Sequence, residues 1–397
     1  MKRIYLDHAA TTRTDKEVVE VMLPYLTDNY GNPSSIYTIA RENKTAIEKA
    51  RESIAEVFNA RNTEIYFTSG GTESDNWAIK GIASYHSKKG KHIITSNIEH
   101  HAVMDTMGYL KKKGFDITYV PVEENGILDA NKVKKAIRPD TILISVIFAN
   151  NEIGTLQPIK EIGQIAKENK IIFHTDAVQA AGSIDIDVKD LNIDLMSISA
   201  HKFYGPKGVG ALYIRRGVII DNLLHGGGQE STRRASTENV AGIVGMAHAL
   251  KLSVANLESN NAHIKKVRDA VKEGIEKKIP FIRYNGDQDK RLVNNLNFSF
   301  EFIEGESLLL MLDFKGISAS SGSACTSGSL DPSHVLLALG LPHEIAHGSL
   351  RLSFGRDNQL EDTEYIVDSI AQTVERLREM SPLYEDFVKN RKKSLLE

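Results

Sequence analysis

The feature that most constrains the fold of this chain is the regular alternation of short apolar runs with segments of helical periodicity. The run at residues 141–148 (TILISVIF) is continuously apolar, as is typical of a strand buried on both faces of a parallel sheet. Shorter runs at 64–67, 92–95, 116–120 and 171–174 are each followed by a turn or a helical pattern. This order predicts an α/β fold with a mostly parallel sheet flanked by helices.

The second half of the chain has a different pattern, and 397 residues exceed what one compact core usually holds. The charged helical pattern at 244–278 predicts one long helix that leaves the first domain. Beyond it, two predicted strands and two amphipathic helices surround a loop rich in Ser and Gly, which indicates a smaller α+β domain. We predict a large domain at 13–256 and a small domain at 257–397, with residues 1–12 packing on the small domain.

Composition excludes several classes of partner. The formal net charge of −3 gives no reason to expect direct contact with nucleic acid. No stretch reaches the roughly 18 consecutive apolar residues of a membrane helix, and the N-terminal residues lack the apolar run of a signal peptide. We therefore expect a cytoplasmic protein that does not bind membranes. The single cysteine, Cys325, excludes an internal disulfide and is either inert core or a reactive thiol.

Polar side chains recur immediately after the predicted strands of the first domain. In open α/β sheets ligands bind beyond the carboxyl ends of the strands. Random polar loop residues would fall at both ends of the sheet, so their common placement predicts one ligand site. The candidate residues are Thr72, His100, Asn151, Asp176, Gln179, Ser199, His201 and Lys202.

Lys202 lies in the stretch 198–210 (ISAHKFYGPKGVG), between two predicted buried strands. Desolvation lowers the pKa of a lysine, and a neutral amine is a nucleophile that can form a Schiff base. Taken alone, a lysine in such a turn is more often a solvated residue at a hairpin tip. The neighbouring polar residues favour the chemical role, and pyridoxal phosphate is the commonest reason for a Schiff-base lysine.

Pyridoxal phosphate needs a carboxylate beside its pyridine nitrogen, and Asp176 at a strand end suits this task. Each pKa unit of such support corresponds to about 1.36 kcal/mol. His100 is a candidate to stack on the ring, and Gln179 or Asn151 could donate to the phenolic oxygen. By themselves, Asp176 could equally be a helix cap or turn residue, and His100 a surface or cap histidine.

The phosphate of the cofactor needs backbone N–H groups and hydroxyls. The turn TSGG at 68–71 precedes a predicted helix, whose N-terminus would present unpaired N–H groups and a partial positive charge. Gly71, Thr72 and Ser199, with His201, could hold the phosphate. A turn of this kind can also simply connect two elements.

Cys325 lies in the segment 318–332 (SASSGSACTSGSLDP), which is rich in Ser and Gly. Structural cysteines usually lie in apolar packing, so this position predicts a partly exposed thiol on a mobile loop. A mobile loop could carry the thiol into a site and out again. An incidental loop cysteine is the alternative.

A series of motifs spread over the chain matches one known family. They are LDHAATT, YGNPSS, FTSGGTESDN, EHHAV, ANNEIG, HTDAVQ, SAHKFYGPKGVG, GGGQE to TEN, SGSACTSG and LRLSFGR. On these motifs essentially the whole chain resembles the cysteine desulfurases of the NifS/IscS-like family, which belong to the fold-type-I pyridoxal phosphate enzymes with an aspartate-aminotransferase-like large domain. The longer loop around Cys325 is similar to the NifS/IscS group rather than the SufS-like group. The end of the chain, KNRKKSLLE, differs from the IscS tail that helps to dock the iron–sulfur scaffold.

This resemblance implies a role for each candidate at the cofactor. Lys202 would hold pyridoxal 5'-phosphate covalently and move protons, and His100 would stack on the ring and assist proton transfer. Asp176 would pair with the ring nitrogen, and Gln179 would bond the phenolate oxygen. The phosphate would be held by Gly71, Thr72, Ser199 and His201, and by Thr237 of the neighbouring subunit, which implies a homodimer.

The resemblance also implies the reaction. Asn151 and Arg351 would bind the carboxylate of L-cysteine, and Cys325 would accept its sulfur as a persulfide while L-alanine is formed. The sulfur would pass to an acceptor such as an iron–sulfur scaffold, or to tRNA thiolation. The alternatives are a selenocysteine lyase, another pyridoxal phosphate enzyme such as a transaminase, and a non-catalytic sulfur-assembly partner. The last would predict loss of Lys202 or Cys325, and both are present.

Overall fold

A computed structural model describes residues 2–321, 332–390 and 394–396 of the chain. Its largest element is a seven-stranded sheet. In spatial order the strands are β2, β8, β7, β6, β5, β3 and β4. Their bounds are β2 Ile65–Thr68, β3 His92–Ser96, β4 Asp116–Val120, β5 Thr141–Ile147, β6 Ile172–Asp176, β7 Leu195–Ser199 and β8 Gly210–Ile214.

The sheet is mostly parallel, as the sequence predicts. Strands β4, β3, β5, β6 and β7 pair in parallel, whereas β8 runs antiparallel to both β7 and β2. All seven residues of β5 are buried, which confirms that its continuous apolar run is a strand covered on both faces. The predicted α/β fold class is therefore confirmed.

Two smaller sheets lie in the rest of the structure. Antiparallel β12 (Ser349–Ser353), β10 (Asn295–Phe300) and β9 (Ile282–Tyr284) form one, with β10 in the middle. Strand β1 (Ile4–Tyr5) pairs in parallel with β11 (Ile317–Ser318) to form the other.

Fourteen helices are present in the described residues. They are α1 Lys16–Met22, α2 Pro24–Thr27, α3 Thr38–Val57, α4 Gly71–His86, α5 His101–Lys112, α6 Ala130–Ala136, α7 Ile159–Glu168, α8 Val240–Ala255, α9 Leu257–Lys278, α10 Gly305–Phe314, α11 His334–Ala338, α12 His343–His347, α13 Thr363–Glu379 and α14 Pro382–Asn390. Three hydrophobic clusters result. Two lie on the seven-stranded sheet, and one joins β10 and β12 to α9 and α13.

The single long helix predicted at 244–278 is wrong. The structure has two helices, α8 and α9, bent by 72° where they meet at Asn256. Asn256 has φ −109° and ψ 17°, and its side-chain Nδ2 donates to the Leu252 carbonyl at 2.9 Å. An asparagine that bonds the backbone in this way competes with helix propagation, which accounts for the break. The domain division at 256/257 stays a prediction.

The helices of the described residues were compared with the length and hydropathy of a membrane-spanning helix. In the described ranges no single helix combines the length and hydropathy that crossing requires, and only the bent pair of α8 and α9 meets both criteria together.

The N-terminal segment connects the parts of the fold. Ile4 and Leu6 pack in the cluster formed by β10 and β12, and Asp7 forms an isolated bridge with Ser353. Five residues later, the backbone N–H of Thr12 donates to the carbonyl of His201 at 2.9 Å, beside the end of β7. This short segment therefore runs from the three-stranded sheet to the carboxyl edge of the seven-stranded sheet.

Candidate active site

A cavity of about 280 Å³ opens at the carboxyl ends of β5, β6 and β7. It collects ten of the residues that the sequence singles out, although they come from separate parts of the chain. These are Gly71, Thr72, His100, Asn151, Asp176, Gln179, Ser199, His201, Lys202 and Arg351, and the other lining residues are Ala9, Ala10, Asp75, Ile147 and Val178.

Lys202 ends a short 3-10 turn that directly follows β7. Its Nζ donates to the carbonyl of Ala9 at 2.5 Å and to the carbonyl of Ala10 at 2.8 Å. The amine is therefore directed into the cavity and held there by the N-terminal segment, rather than extended into water at a hairpin tip. A lysine so placed can be reached by a ligand inside the cavity.

Asp176 is the last residue of β6 and is only 4% exposed. Its Oδ1 accepts the backbone N–H of Val178 at 2.9 Å. Burial raises the pKa of this carboxyl to about 6, while the Val178 hydrogen bond and the charge of Lys202 oppose the rise. A buried carboxylate in this state would be stabilised by a further cation, such as a protonated ring nitrogen.

Asp75 is a second buried carboxyl in the cavity wall, and sequence reasoning missed it. Burial, followed by the charge of Asp176, raises its pKa well above the ordinary value. Its Oδ1 lies 3.6 Å from Nε2 of His174 and has no hydrogen-bond partner among the described residues. A signal for it exists in the sequence, because Asp75 and Thr72 are three residues apart and so share one face of the first turn of α4.

His100 lines the cavity and is also the N-cap of α5. Its Nδ1 accepts the backbone N–H of Ala102 at 3.1 Å, so the proton of the neutral ring lies on Nε2. Burial lowers the pKa of His100 to about 4, and the charges of Lys202 and His101 act in the same direction. At neutral pH the ring is uncharged, which suits stacking against a flat heterocycle.

The N-terminus of α4 forms an open cradle for an anion. The helix begins at Gly71, and its N-cap Gly70, at φ 154°, supplies no side-chain cap. A Cβ on Gly71 would lie 2.6 Å from Cγ2 of Val178, so only glycine fits there. The uncapped N–H groups and the hydroxyls of Thr72 and Ser199 are the donors that a phosphate needs.

His201 and Gln179 complete this side of the cavity. Nδ1 of His201 lies 3.1 Å from Oγ1 of Thr11, and burial lowers the pKa of the ring to about 4, assisted by Lys202. Nε2 of Gln179 donates to the carbonyl of Ala9 at 2.9 Å, the same carbonyl that Lys202 contacts. The Ala9 carbonyl thus orients two of the predicted cofactor ligands.

Arg351 comes from β12 and closes the opposite end. Its side chain is 3% exposed and pairs with Oδ1 of Asp7 at 2.7 Å. Its Nη1 donates to the backbone carbonyl of Asn151 at 3.3 Å, and its Nε has no hydrogen-bond partner in the described part of the chain. A guanidinium with an unsatisfied N–H is suited to bind a ligand carboxylate.

Comparison with known proteins gives one consistent result. The model of the aminotransferase class-V family matches residues 4–366. A cysteine desulfurase IscS from Methanosarcina thermophila is 61% identical over 382 residues, covering 96% of this chain and 94% of that protein. The cysteine desulfurase IscS of Clostridium botulinum is 58% identical over 392 residues, covering 98% of this chain and 99% of that protein.

The chain belongs to the cysteine desulfurases of the aminotransferase class-V family. Solved structures agree. A NifS-like protein superposes with a TM-score of 0.89 at 40% identity, covering 94% of this chain and all 100% of that one. The structure titled SspA in complex with cysteine has a TM-score of 0.80 at 39% identity, covering 89% of this chain and 99% of that one.

Pyridoxal 5'-phosphate is the cofactor of this desulfurase. The cavity fits the group on three observations of its own. The N-terminus of α4 is uncapped, the buried Asp176 has a raised pKa, and Oδ1 of Asp75 is unsatisfied among the described residues. The resemblance on which the family was predicted is therefore confirmed.

The role of every predicted site residue of this desulfurase stays a prediction, and for Thr237 and Cys325 the cavity adds no placement. Thr237 is exposed in the loop that precedes α8, and it is not among the residues that line the cavity of its own chain. Cys325 lies outside the described residues. Their roles stay predictions.

Sequence reasoning also missed the N-terminal contribution to the site. Asp7 pairs with Arg351, and the carbonyls of Ala9 and Ala10 hold Lys202. The motif LDHAATT matches the family, but its residue types alone assign it no role. Backbone carbonyls carry no residue-type signal, so only the folded chain could reveal them.

Proposed function

We propose that this desulfurase converts L-cysteine to L-alanine and stores the released sulfur as a persulfide on Cys325 for transfer to an acceptor. The observation that carries the proposal is the arrangement of one cavity. Lys202, Asp176 and His100 line one end, and Arg351 with Asn151 lines the other. A structure of the related SspA is titled as a complex with cysteine, which supports cysteine as the substrate.

The cofactor end supplies covalent attachment and proton transfer. When bound, pyridoxal phosphate withdraws electrons from the substrate Cα and so makes its proton acidic. Lys202 is the residue that we assign to hold the cofactor aldehyde and, once released, to take the Cα proton on Nζ and return it. Its position between the Ala9 and Ala10 carbonyls and the cavity allows both roles.

The remaining cofactor ligands divide by chemistry. Gly71, Thr72 and Ser199, with His201, are assigned to the phosphate, because they surround the uncapped start of α4. Asp176 is assigned to the ring nitrogen, and Gln179 to the phenolic oxygen. The neutral ring of His100 is assigned to cover one face of the cofactor and to assist proton transfer.

The substrate end binds the amino-acid carboxylate. Arg351 can offer its unsatisfied Nε together with an Nη group as a two-point clamp, and Asn151 lies beside it. This grip would hold the amino acid in the cavity that Lys202 also lines. Orientation of this kind lowers the barrier without new chemistry.

Cys325 would act on the substrate sulfur. Its thiolate attacks that sulfur, the new S–S bond forms, and the Cβ–S bond breaks with its electron pair retained by the carbon fragment. Protonation of that fragment completes L-alanine, so no external oxidant or reductant is needed. A thiol of an acceptor protein, such as an iron–sulfur scaffold, would then take the outer sulfur.

We also propose a homodimer with shared sites, in which each chain would contribute the exposed Thr237 to the phosphate of its partner, as the family resemblance implies. Large apolar side chains are exposed on the N-terminal helices and the loop after them, including Leu23 at 56%, Leu26 at 63% and Ile36 at 88%. A dimer interface would remove such a surface from water.

Two further expectations belong to this proposal. We place the protein in the cytoplasm, and we keep the division between the large and the small domain at 256/257.

Mass spectrometry after brief exposure to L-cysteine tests the function directly. The holoenzyme should gain one sulfur atom on Cys325, reversible by dithiothreitol, with an equivalent of L-alanine formed. A Cys325→Ala variant that holds the cofactor should gain no sulfur and form no alanine beyond background. Alanine formed at an unchanged rate by Cys325→Ala would instead indicate that the substrate sulfur leaves as elemental sulfur, or as sulfide when dithiothreitol supplies two electrons, without a persulfide on Cys325. No alanine from the holoenzyme would overturn the proposal.

A further inference from the structure

A buried acid, Glu152, follows the substrate-site residue Asn151. Its residue is 6% exposed, and Oε2 accepts a hydrogen bond from the hydroxyl of Ser333. Burial raises the pKa of Glu152 to about 7, and Ser333 and the charge of Arg351 oppose that rise. The cofactor chemistry proposed above gives this carboxyl no task, although burying it is costly.

The backbone of Glu152 is fixed from both sides. Oδ1 of Asn150 accepts the N–H of Glu152 at 2.9 Å and that of Ile153 at 3.0 Å. The carbonyl of Glu152 accepts Nδ2 of both Asn295 and Asn297 at 3.1 Å. These amides belong to the start and the interior of β10, whereas Glu152 follows β5 of the large sheet. The backbone of Glu152 is therefore held by contacts to both sheets.

Ser333 uses all of its hydrogen-bonding capacity. It is 5% exposed and is the N-cap of α11, where its Oγ accepts the N–H of Val335 at 3.1 Å and of Leu336 at 3.3 Å. Its single proton therefore goes to Glu152. Nε2 of the next residue, His334, donates to the carbonyl of Glu99 at 3.0 Å. The start of α11 is therefore bonded both to Glu152 and to Glu99, the residue before His100.

The segment that contains Cys325 connects two described ends, and both are attached to the substrate site. Before it, Ser320 and Arg351 exchange two backbone hydrogen bonds, of 2.7 and 3.2 Å. After it, Ser333 is bonded to Glu152, the neighbour of Asn151. The two predicted ligands of the substrate carboxylate thus adjoin the two attachment points.

We propose that Glu152 is a positioning residue that, through Ser333, fixes the C-terminal attachment of the Cys325 segment relative to Asn151 and Arg351. The proposal rests on the function proposed above and deepens it. Loss of the Glu152–Ser333 bond would slow sulfur transfer to Cys325. Steps that use only Lys202 and the cofactor would keep their rates, because neither Glu152 nor Ser333 lines the cavity.

A purely structural role for Ser333 as a helix cap would give a different pattern. Asp129 provides the matched control, because it caps the short helix α6 by accepting the N–H of Asn131 at 2.8 Å. Removing either cap should lower stability, and Ser333→Ala should lower it more, because it also leaves the buried Glu152 carboxyl without its hydroxyl donor. Only removal of the Ser333 cap should slow sulfur transfer to Cys325 more than it slows the cofactor steps.

The test uses four variants of the holoenzyme: Ser333→Ala, Ser333→Thr, Glu152→Ala and Asp129→Ala. Stopped-flow absorbance of the bound cofactor on mixing with L-cysteine reports the early steps, and single-turnover alanine and Cys325 persulfide report sulfur transfer. Ser333→Ala and Glu152→Ala should slow alanine and persulfide formation about 10-fold or more and change the absorbance phase less than about 2-fold. In Ser333→Thr and Asp129→Ala, the rate of the absorbance phase and the rate of persulfide formation should both stay within about 2-fold of those of the unmodified protein.

Each other result has a defined meaning. Equal slowing of the absorbance phase and of persulfide formation in Ser333→Ala, or unchanged rates in both Ser333→Ala and Glu152→Ala, would overturn the positioning role. A similar loss of sulfur transfer in Asp129→Ala would assign the effect to stability and would also overturn it. If the unmodified holoenzyme forms neither alanine nor persulfide, the proposed function itself fails, and the unmodified protein alone reveals that outcome.

Discussion

The two ends of the cavity differ in how their charges are balanced. At the cofactor end, Asp176 and Asp75 are buried together and both have raised pKa values, with Lys202 as the nearby cation that acts on Asp176. At the substrate end, Arg351 is already paired with Asp7 at 2.7 Å. At the first end a protonated ring nitrogen would stabilise the buried carboxylates beyond what Lys202 provides, whereas at the second end Arg351 must loosen an existing ion pair to hold a ligand.

The ends also differ in origin. The cofactor end is built by α4, the N-cap of α5, β6 and the turn after β7, which all belong to the seven-stranded sheet or lie directly beside it. The substrate end needs β12, the N-terminal segment and the turn after β5, which meet only through contacts between distant parts of the chain. The comparison teaches that the rigid sheet edge carries the cofactor residues, while the junction between sheets carries the substrate residues.

The largest effect is expected when Lys202, at the cofactor end of the cavity, is replaced. Replacing Lys202 with Ala removes the amine that we assign to proton transfer and should lower the rate of alanine formation by roughly 10⁴-fold. The rate is measured under saturating L-cysteine with the cofactor added in excess. A Lys207→Ala variant, which alters an exposed lysine of the same glycine-rich stretch, serves as the control. Residual activity above a tenth of normal would refute the role of Lys202.

A smaller loss should follow from Asp176→Asn, which removes the negative charge near the ring nitrogen but keeps the shape. We expect kcat to fall by roughly 10²- to 10³-fold with a modest change in KM, because the charge stabilises the transition state more than the bound substrate. The absorbance maximum of the bound cofactor should also shift. An unchanged kcat would show that Asp176 is a structural strand-end residue, as its sequence position alone would allow.

The substrate end is tested by Arg351→Lys. Losing the planar two-point grip should raise KM for L-cysteine by roughly 10- to 100-fold, as expected for loss of a hydrogen bond to a charged group. The spectrum of the bound cofactor without substrate should stay the same. If Arg351→Lys also changes the spectrum of the bound cofactor in the absence of substrate, the two ends of the cavity do not act separately.

Asp7→Asn should give a still smaller change and sharpens the same distinction. Without the ion pair, Arg351 is released to the ligand, so KM should fall or stay within about 3-fold while stability decreases by roughly 1 kcal/mol or more. Steady-state kinetics and denaturant unfolding measure the two effects. A large rise in KM would mean that Asp7 orients Arg351 rather than competing for it.

The smallest effect on the reaction rate is expected at the buried acid next to His100, which acts on stability and its dependence on pH. Burial raises the pKa of Glu99 to about 8 from an ordinary value of 4.5, with hydrogen bonds from Ser96 and Ile147 opposing the rise. The folded chain therefore keeps a proton that the unfolded chain releases, so this contribution to stability is complete below pH 4.5. It is lost as pH rises towards and through about 8.

Glu99→Gln removes this titration while keeping an oxygen that can accept from Ser96 and Ile147. Between about pH 6 and about pH 8.5 the free energy of unfolding of the unmodified protein should fall more steeply with pH than that of the variant. The two slopes should differ by at most about 1.4 kcal/mol per pH unit. Urea unfolding of the holoenzyme at both pH values measures the slopes. Parallel slopes would show that Glu99 is ionised in the folded protein throughout this range.

Much of the site is predictable, because strand ends are visible in the sequence. Apolar runs locate β3, β5, β6 and β7 within a few residues, and parallel strands share one carboxyl edge. His100, Asp176 and Lys202 can therefore be placed together from the sequence alone. The exception in the fold is the break at Asn256, where one side chain bonds the backbone and a continuous periodic pattern gives no warning.

Local sequence patterns are sufficient to predict most helices and strands and the polar groups that follow each strand. The distant groups that complete the site are visible only in the folded chain. Lys202 contacts the carbonyl of a residue 193 positions away, and Arg351 pairs with an aspartate 344 positions away. Periodicity and turn composition report the path of the chain over a few residues. Long-range hydrogen bonds and ion pairs form only when packing of the sheets fixes their distance.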